Sequence, residues 1–152
     1  MKPILSALIL LLTVVGCSTD DDCGCTIISL DVNIALTNAA GDDLLDPDNP
    51  NSYKESAIKV YHLINDEEQR SGVDDVLFQG EDGTYVYTTF VNYEGDAEYP
   101  ITYIDWSETD RDTIKSEIYR TDNQTRAIKI WYNDELMWDV ADGSAPYFTI
   151  VK

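Results

Sequence analysis

Apolar and polar residues alternate along the first patterned segment of the chain, from Ile28 to Thr37. A period of two is typical of a β-strand with one buried face, because successive side chains of a strand point to opposite sides of its sheet. This alternation predicts a strand over 28–37 and constrains the chain to a sheet protein with a buried layer. The apolar positions are Ile28, Leu30, Val32, Ile34 and Leu36.

Further segments rich in β-branched and aromatic residues follow, separated by turn residues. Hairpin turns are predicted at Gly80-Glu81-Asp82-Gly83 and at Asn133-Asp134. Residues 107–120 also fit a short helix, but their β-branched side chains and the hairpin after them favour a strand. We therefore expect an all-β fold, a single β-sandwich of about 7–8 mostly antiparallel strands, immunoglobulin-like or transthyretin-like. The expected strands after the first cover about 57–64, 76–79, 84–93, 101–106, 113–121, 125–132 and 146–152.

One of the expected hairpins has a definable register. A three-residue loop at 122–124 would place Glu117 opposite Lys129, a charge pair, and Ile118 opposite Ile128. The chain shows no internal repeat and no break in composition after Cys25, so residues 26–152 are expected to form one domain.

The charge of the chain limits the classes of partner that it could bind. With 29 acidic and 10 basic residues, the formal net charge is −19. Nucleic-acid binding depends on a surface of Lys and Arg, so a nucleic-acid partner is not expected. Attachment to anionic lipid through a basic patch is not expected for the same reason.

The amino terminus reads as an export signal. Residues 1–16 combine a positive Lys2 with an apolar run that is too short for a membrane span, and a small residue precedes Cys17. Val14-Val15-Gly16-Cys17 resembles the lipobox of bacterial lipoproteins, which implies lipidation of Cys17. The alternative is an ordinary signal peptide, with Cys17 available for a disulfide. Several acyl chains on one residue would anchor the protein stably without a transmembrane helix.

Residues 17–25 are expected to be a lipidated acidic tether. The run Ser18-Thr19-Asp20-Asp21-Asp22 resembles the export tag of surface-exposed lipoproteins of the Bacteroidota, which implies a domain that faces outward from the outer membrane. The alternative is an acidic linker on a protein that faces the periplasm. Cys23 and Cys25 could form a disulfide, although closing a ring across one Gly would strain it. A redox Cys-x-Cys site is the alternative to a tether with two thiols, and the tether is preferred because no basic residue or helix start nearby would lower a thiol pKa.

Several motifs in the body of the chain together resemble small uncharacterised surface lipoproteins of the Bacteroidota. This resemblance implies a surface β-sandwich, and it implies no catalytic residues. The motifs lie at 41–47, 58–61, 112–115, 129–136 and 146–152.

An acidic loop is the candidate metal site. Calcium prefers six or more oxygen ligands from a loop that can bend around it, and residues 42–51 offer enough oxygens. The spacing lacks the EF-hand pattern and includes two prolines, so a long loop of turn-forming residues is the alternative. The candidate calcium ligands are Asp42, Asp43, Asp46, Asp48 and Asn49, with Asn51 beside them.

Trp106, Trp131 and Trp138 are the candidate ligand-binding aromatics, because sugar rings stack on exposed aromatic planes. The alternative is that they pack in the core or across strands. Catalysis has little support, since the single histidine, His62, lies on an apolar strand face and no nucleophile or phosphate-loop motif is present.

These patterns lead to an expectation of a lipid-anchored, outward-facing module that binds rather than catalyses. Its ligand could be a glycan, a partner protein or a host surface. The alternative is a structural or accessory component of a cell-envelope or fimbria-like assembly, and a hydrolase is the least supported reading. No cofactor is expected apart from the candidate calcium ion.

Overall fold

The computed structural model describes residues 26–72 and 75–152, and within them the chain is all-β. The predicted leader, the predicted tether and the lipidation candidate Cys17 lie outside the described residues. No helix in the described part is long and apolar enough to cross a bilayer. The strands are β1 (Ile27–Ser29), β2 (Asp31–Thr37), β3 (Lys59–Ile64), β4 (Glu67–Arg70), β5 (Val76–Gln79), β6 (Tyr85–Phe90), β7 (Ile101–Ser107), β8 (Asp110–Thr121), β9 (Gln124–Tyr132), β10 (Glu135–Asp139) and β11 (Tyr147–Val151).

The strands form two sheets that pack as a sandwich. The seven-stranded sheet has the order β1-β9-β8-β7-β3-β4, and β10 also pairs with β9. The four-stranded sheet has the order β11-β2-β6-β5. Two strand pairs, β1 with β9 and β11 with β2, are parallel, and the other pairs are antiparallel. The predicted all-β sandwich is confirmed, with eleven strands in place of the expected seven or eight.

The alternating segment at the start of the domain forms two strands in place of the expected one. Val32, Ile34 and Leu36 are fully buried on β2 in the four-stranded sheet, as the period of two predicts. Ile28, in contrast, lies exposed on β1, which pairs with β9 in the other sheet. The chain crosses between the sheets at the buried Leu30, which is why one continuous pattern gives two strands.

The two predicted hairpin turns have the expected backbone, and a third turn resembles one of them. Asn133 and Asp134 both have positive φ, 48° and 68°, as a type I′ turn requires. The turn at Asn65-Asp66 has the same character and leads into β4, a strand that the sequence analysis missed because its four polar residues do not alternate. Gly83, at φ 89°, closes the hairpin between β5 and β6.

The long hairpin of β8 and β9 confirms one predicted pair and corrects another. Glu117 lies opposite Lys129. Ile118, however, lies opposite Ala127, because the register shifts by one residue at a β-bulge next to this pair. The shift leaves a two-residue turn, 122–123, in place of the expected three-residue loop. Residues 110–121 are a strand, so the short-helix alternative for 107–120 is wrong.

Candidate functional site

The three tryptophans differ in their access to a ligand. Trp106 is 0% exposed and Trp138 is 6% exposed, so both rings belong to the core. Their assignment as ligand-binding residues is therefore corrected, since a buried ring cannot stack on a ligand at the surface. Trp131 is half-buried on the outer face of the seven-stranded sheet, and it is the tryptophan that a ligand could reach.

Trp131 belongs to a row of side chains that crosses five strands. Each residue pairs with the next across adjacent strands, so all of them share the outer face of the seven-stranded sheet. Tyr99 packs edge-on against Trp131, with the ring centroids 5.9 Å apart. The Nζ atom of Lys115 lies 5.3 Å from the centroid of the Trp131 ring. We call this set the aromatic row: Leu63, Ile101, Lys115, Trp131 and Leu136, with Tyr99 beside it.

A second cluster on the same face is built around Arg111. Its guanidinium lies 5.5 Å from the ring centroid of Tyr61 and 5.1 Å from that of Tyr103. Its Nε donates to Asp105 at 2.5 Å and its Nη1 to Glu68 at 2.8 Å. These hydrogen bonds, the one to Asp105 first, raise the pKa of Arg111 above its ordinary value. The cluster fixes the charged groups and leaves the tyrosine rings at the surface.

The outer face of the seven-stranded sheet holds most of the cations that the structure describes. Nine of the ten Lys and Arg residues of the chain are described, because Lys2 alone lies outside. Strand alternation and register place six of the nine on this face. The domain is strongly acidic, so this is a distinct surface that combines rings, amines and carboxylates. The six are Lys59, Arg70, Arg111, Lys115, Arg126 and Lys129.

Sequence reasoning missed the tyrosines of this face. Tyr61, Tyr99 and Tyr103 were not among the candidates, although the first and last contact Arg111 and Tyr99 packs against Trp131. One signal was available, because the predicted pairing of Glu117 with Lys129 also sets Lys115 opposite Trp131. The positions of β3 and β7 relative to this hairpin required the folded sheet.

The acidic loop uses its side-chain oxygens to accept from backbone N–H groups. The Asp43 carboxylate accepts from the backbone N–H of Leu45 at 2.7 Å and from that of Tyr85 at 2.7 Å. Asp46 accepts from the N–H of Asp48 and Asn49 from that of Asn51. These are local turns that Asp and Asn side chains commonly form.

The structure therefore gives the candidate calcium ligands a different role. Asp42, Asp43, Asp46 and Asn49 line one open depression, whereas Asp48 does not contribute to it. Across the described residues, no group of three or more acidic, histidine or cysteine side chains is placed to hold a metal ion. The geometry supports the alternative reading, a loop of turn-forming residues that Asp43 fastens to β6.

A buried polar network joins the two sheets at the Asp112 carboxylate. The Trp106 Nε1 donates to Asp112 at 2.7 Å and the Tyr132 hydroxyl at 2.5 Å. The Asn133 side chain donates at 2.7 Å, and the Lys152 ammonium, just after β11, also donates to it. Lys152 donates in addition to Asp110 at 2.7 Å, and Asp110 accepts from the hydroxyl of Tyr53.

The network sets the protonation state of its members. Burial of Asp112 opposes ionisation, but hydrogen bonds from Asn133, Lys152 and Tyr132 outweigh it and lower the pKa of this carboxyl. Burial, followed by the hydrogen bond to Asp112, raises the pKa of Tyr132. Asp112 is therefore ionised and Tyr132 neutral at physiological pH. Four groups donate to the Asp112 carboxylate, so the network has the geometry of a structural clamp.

His62 is the single histidine and is buried on the inner face of β3, where its Nε2 lies 3.2 Å from the carbonyl oxygen of Phe90. It packs between the sheets, as its apolar strand face predicts. Comparison with known proteins found no family model, no curated protein and no solved structure that matches the chain.

Replacing Asp43 with Ala tests the role of the acidic loop. We expect a loss of about 1–3 kcal/mol in the free energy of unfolding without added calcium, because two backbone N–H groups lose their acceptor. The exposed Asp48→Ala is the matched control and should change little. Urea unfolding with and without calcium measures both. If both variants lose the same free energy of unfolding, and only when calcium is present, the loop would be a calcium site after all.

Replacing Asp112 with Asn tests the clamp. The variant should lose about 3 kcal/mol of unfolding free energy at neutral pH, because the Lys152 ammonium loses its buried partner. Because folding lowers the pKa of Asp112, its contribution is present above the unfolded value of about 3.9 and is lost as the pH falls through the folded value. The difference between variant and wild type should therefore shrink in acid.

The control for the clamp is Asp134→Asn. Asp134 pairs with Lys115 at 3.4 Å but is 92% exposed, so little effect on stability is expected. Urea unfolding between neutral and acid pH measures all three proteins. A deficit of Asp112→Asn that stays constant across this range would contradict the role given to its charge.

Proposed function

We propose that this protein is a lipid-anchored module of the outer membrane that faces outward and binds a glycan on the aromatic row. The observation that carries the proposal is the position of Trp131 on a partly apolar sheet face with polar groups on both sides. The proposed action is binding without catalysis.

The chemistry of the aromatic row suits a sugar. Sugar rings present C–H faces, which pack on the exposed part of an aromatic ring, and hydroxyl groups around their rim. The Lys115 ammonium beside the Trp131 ring can donate to hydroxyl or carboxylate oxygens. The edge-on contact with Tyr99 holds the Trp131 ring in place, so less rotamer freedom would be lost on binding.

The position of β1 in the sheet also suits a module that is anchored at its amino terminus. The domain begins at β1, where the N–H of Ile27 donates to the carbonyl oxygen of Asn123 at the turn between β8 and β9. Trp131 lies seven residues along β9 from Gln124, the partner of Ile27, which corresponds to about 23 Å. A tether that ends at Ile27 would therefore hold the aromatic row about 23 Å along the sheet from the point of attachment.

Trp131→Ala should abolish or weaken glycan binding by at least about tenfold, because the ring supplies the stacking surface. Tyr119→Ala is the matched control, since Tyr119 is an exposed aromatic on β8 outside the aromatic row. The measurement is a glycan array followed by titration with the glycans that bind. Unchanged circular dichroism would show that both variants fold. Absence of binding to every glycan, or equal losses in the two variants, would remove the glycan from the proposal.

The anchor has its own test. Cys17→Ser should move the protein from the membrane fraction to the soluble fraction, because the thiol that would carry the lipid is gone. Cys23→Ser, in the same tether, is the control and should stay in the membrane fraction. Fractionation with protease treatment of intact cells also reports whether the domain faces outward. A wild-type chain that is soluble and keeps its leader would overturn the anchoring.

A further inference from the structure

The outer face of the four-stranded sheet is almost free of charge. Register and alternation place twelve side chains on it, and Asp31 is the one charged residue among them. Phe78 is 44% exposed and Val151 is 65% exposed, and Val76 and Tyr147 are also at the surface. An uncharged face with exposed apolar side chains is unusual on so acidic a domain, and such patches mark interaction sites.

The polar side chains at the centre of this face are already satisfied. The hydroxyl of Thr88 donates to Asn33 Oδ1 at 2.6 Å, and Asn33 Nδ2 donates to the carbonyl oxygen of Pro146 at 3.2 Å. Each of these side chains therefore has a partner within the protein. The face therefore behaves as an apolar surface toward a partner.

The edge of this sheet at β5 is open and unprotected. Within the described residues, β5 pairs only with β6. Its sequence, Val-Leu-Phe-Gln, contains no charge and no proline. By contrast, β4, at an edge of the other sheet, reads Glu-Glu-Gln-Arg, the kind of charged strand that discourages pairing. An open apolar edge is a template for an added strand.

The charge around β5 determines which strand would fit. Asp75 directly precedes it, and Glu81 and Asp82 follow it in the hairpin loop. The chain as a whole carries −19. A second copy of this protein would bring the same acidic residues to the edge, whereas a basic segment would be attracted to it.

We propose that β5 docks an extended segment of a partner protein in which apolar and basic residues alternate. The segment adds a fifth strand to the four-stranded sheet. Its apolar side chains continue the surface of Val76 and Phe78, and its basic side chains approach Asp75 and the acidic hairpin loop. This site is separate from the aromatic row, which lies on the other sheet, and it does not depend on a glycan.

The test uses the purified full chain and a short labelled peptide in which Val and Lys alternate. We expect measurable binding by fluorescence anisotropy, and slower hydrogen exchange at the amides of Val76–Gln79 when the peptide is present. Phe78→Lys should weaken binding by about tenfold, because it places a like charge at the edge. Val76→Lys serves the same purpose if Phe78→Lys fails to fold.

Three controls make the result decisive. Val151→Lys adds the same charge to the same face at the opposite edge, so binding should change little. A Val/Glu peptide and a Val/Lys peptide with a central proline should not bind, because the first is repelled and the second cannot pair. Equal weakening by the two lysine variants, binding of either control peptide, or a dimer in sedimentation that protects β5 without peptide would each overturn the proposal.

Discussion

The Asp112 carboxylate is the interaction on which the rest of the structure depends. It lies at an inward position of β8, where strand alternation would otherwise place an apolar side chain. A buried charge is costly unless it is paired and hydrogen-bonded, and four donors from three parts of the chain meet this requirement. One of them, Lys152, follows β11 in the other sheet. The clamp therefore fixes both the middle of the seven-stranded sheet and its contact with the smaller one.

The outer faces of the two sheets have different characters. The seven-stranded sheet displays rings, amines and carboxylates that are ordered by mutual contacts, as around Arg111 and Trp131. The four-stranded sheet displays an almost uncharged surface that ends at the open edge of β5. A small domain with two such faces suits a protein that acts by contact. The aromatic row and β5 lie on opposite layers, so the two proposed partners would not compete.

The sequence predicts the local structure of this domain better than its surfaces. Alternation identified the buried side of β2, and the turn residues identified the Asn133-Asp134 hairpin, because both signals act over a few neighbouring positions. Trp106 shares its strand face with Ile104, so its burial was within reach of the same argument. The burial of Trp138 was not, because the pairing of β10 shifts at a bulge between Leu136 and Trp138.

Contacts between distant parts of the chain decide which candidate sites remain. The Asp43 carboxylate is used by the backbone of Tyr85, 42 residues away, and no local pattern reveals that bond. The same holds for Asp112, which the sequence shows only as one acid among 29. Trp131 remains a candidate because its neighbours across the sheet leave it at the surface. Which face of a strand meets solvent depends on the packing of both sheets.

The most direct measurement of the central claim follows the three tryptophan indole N–H signals by NMR. The Nε1–H groups of Trp106 and Trp138 donate to Asp112 and to the carbonyl oxygen of Ser144, so both should exchange slowly with solvent. The indole N–H of Trp131 should exchange fast, and its signal should be the one that shifts when a glycan is added. Slow exchange of Trp131, or a glycan-induced shift at Trp106 or Trp138 in its place, would contradict the account.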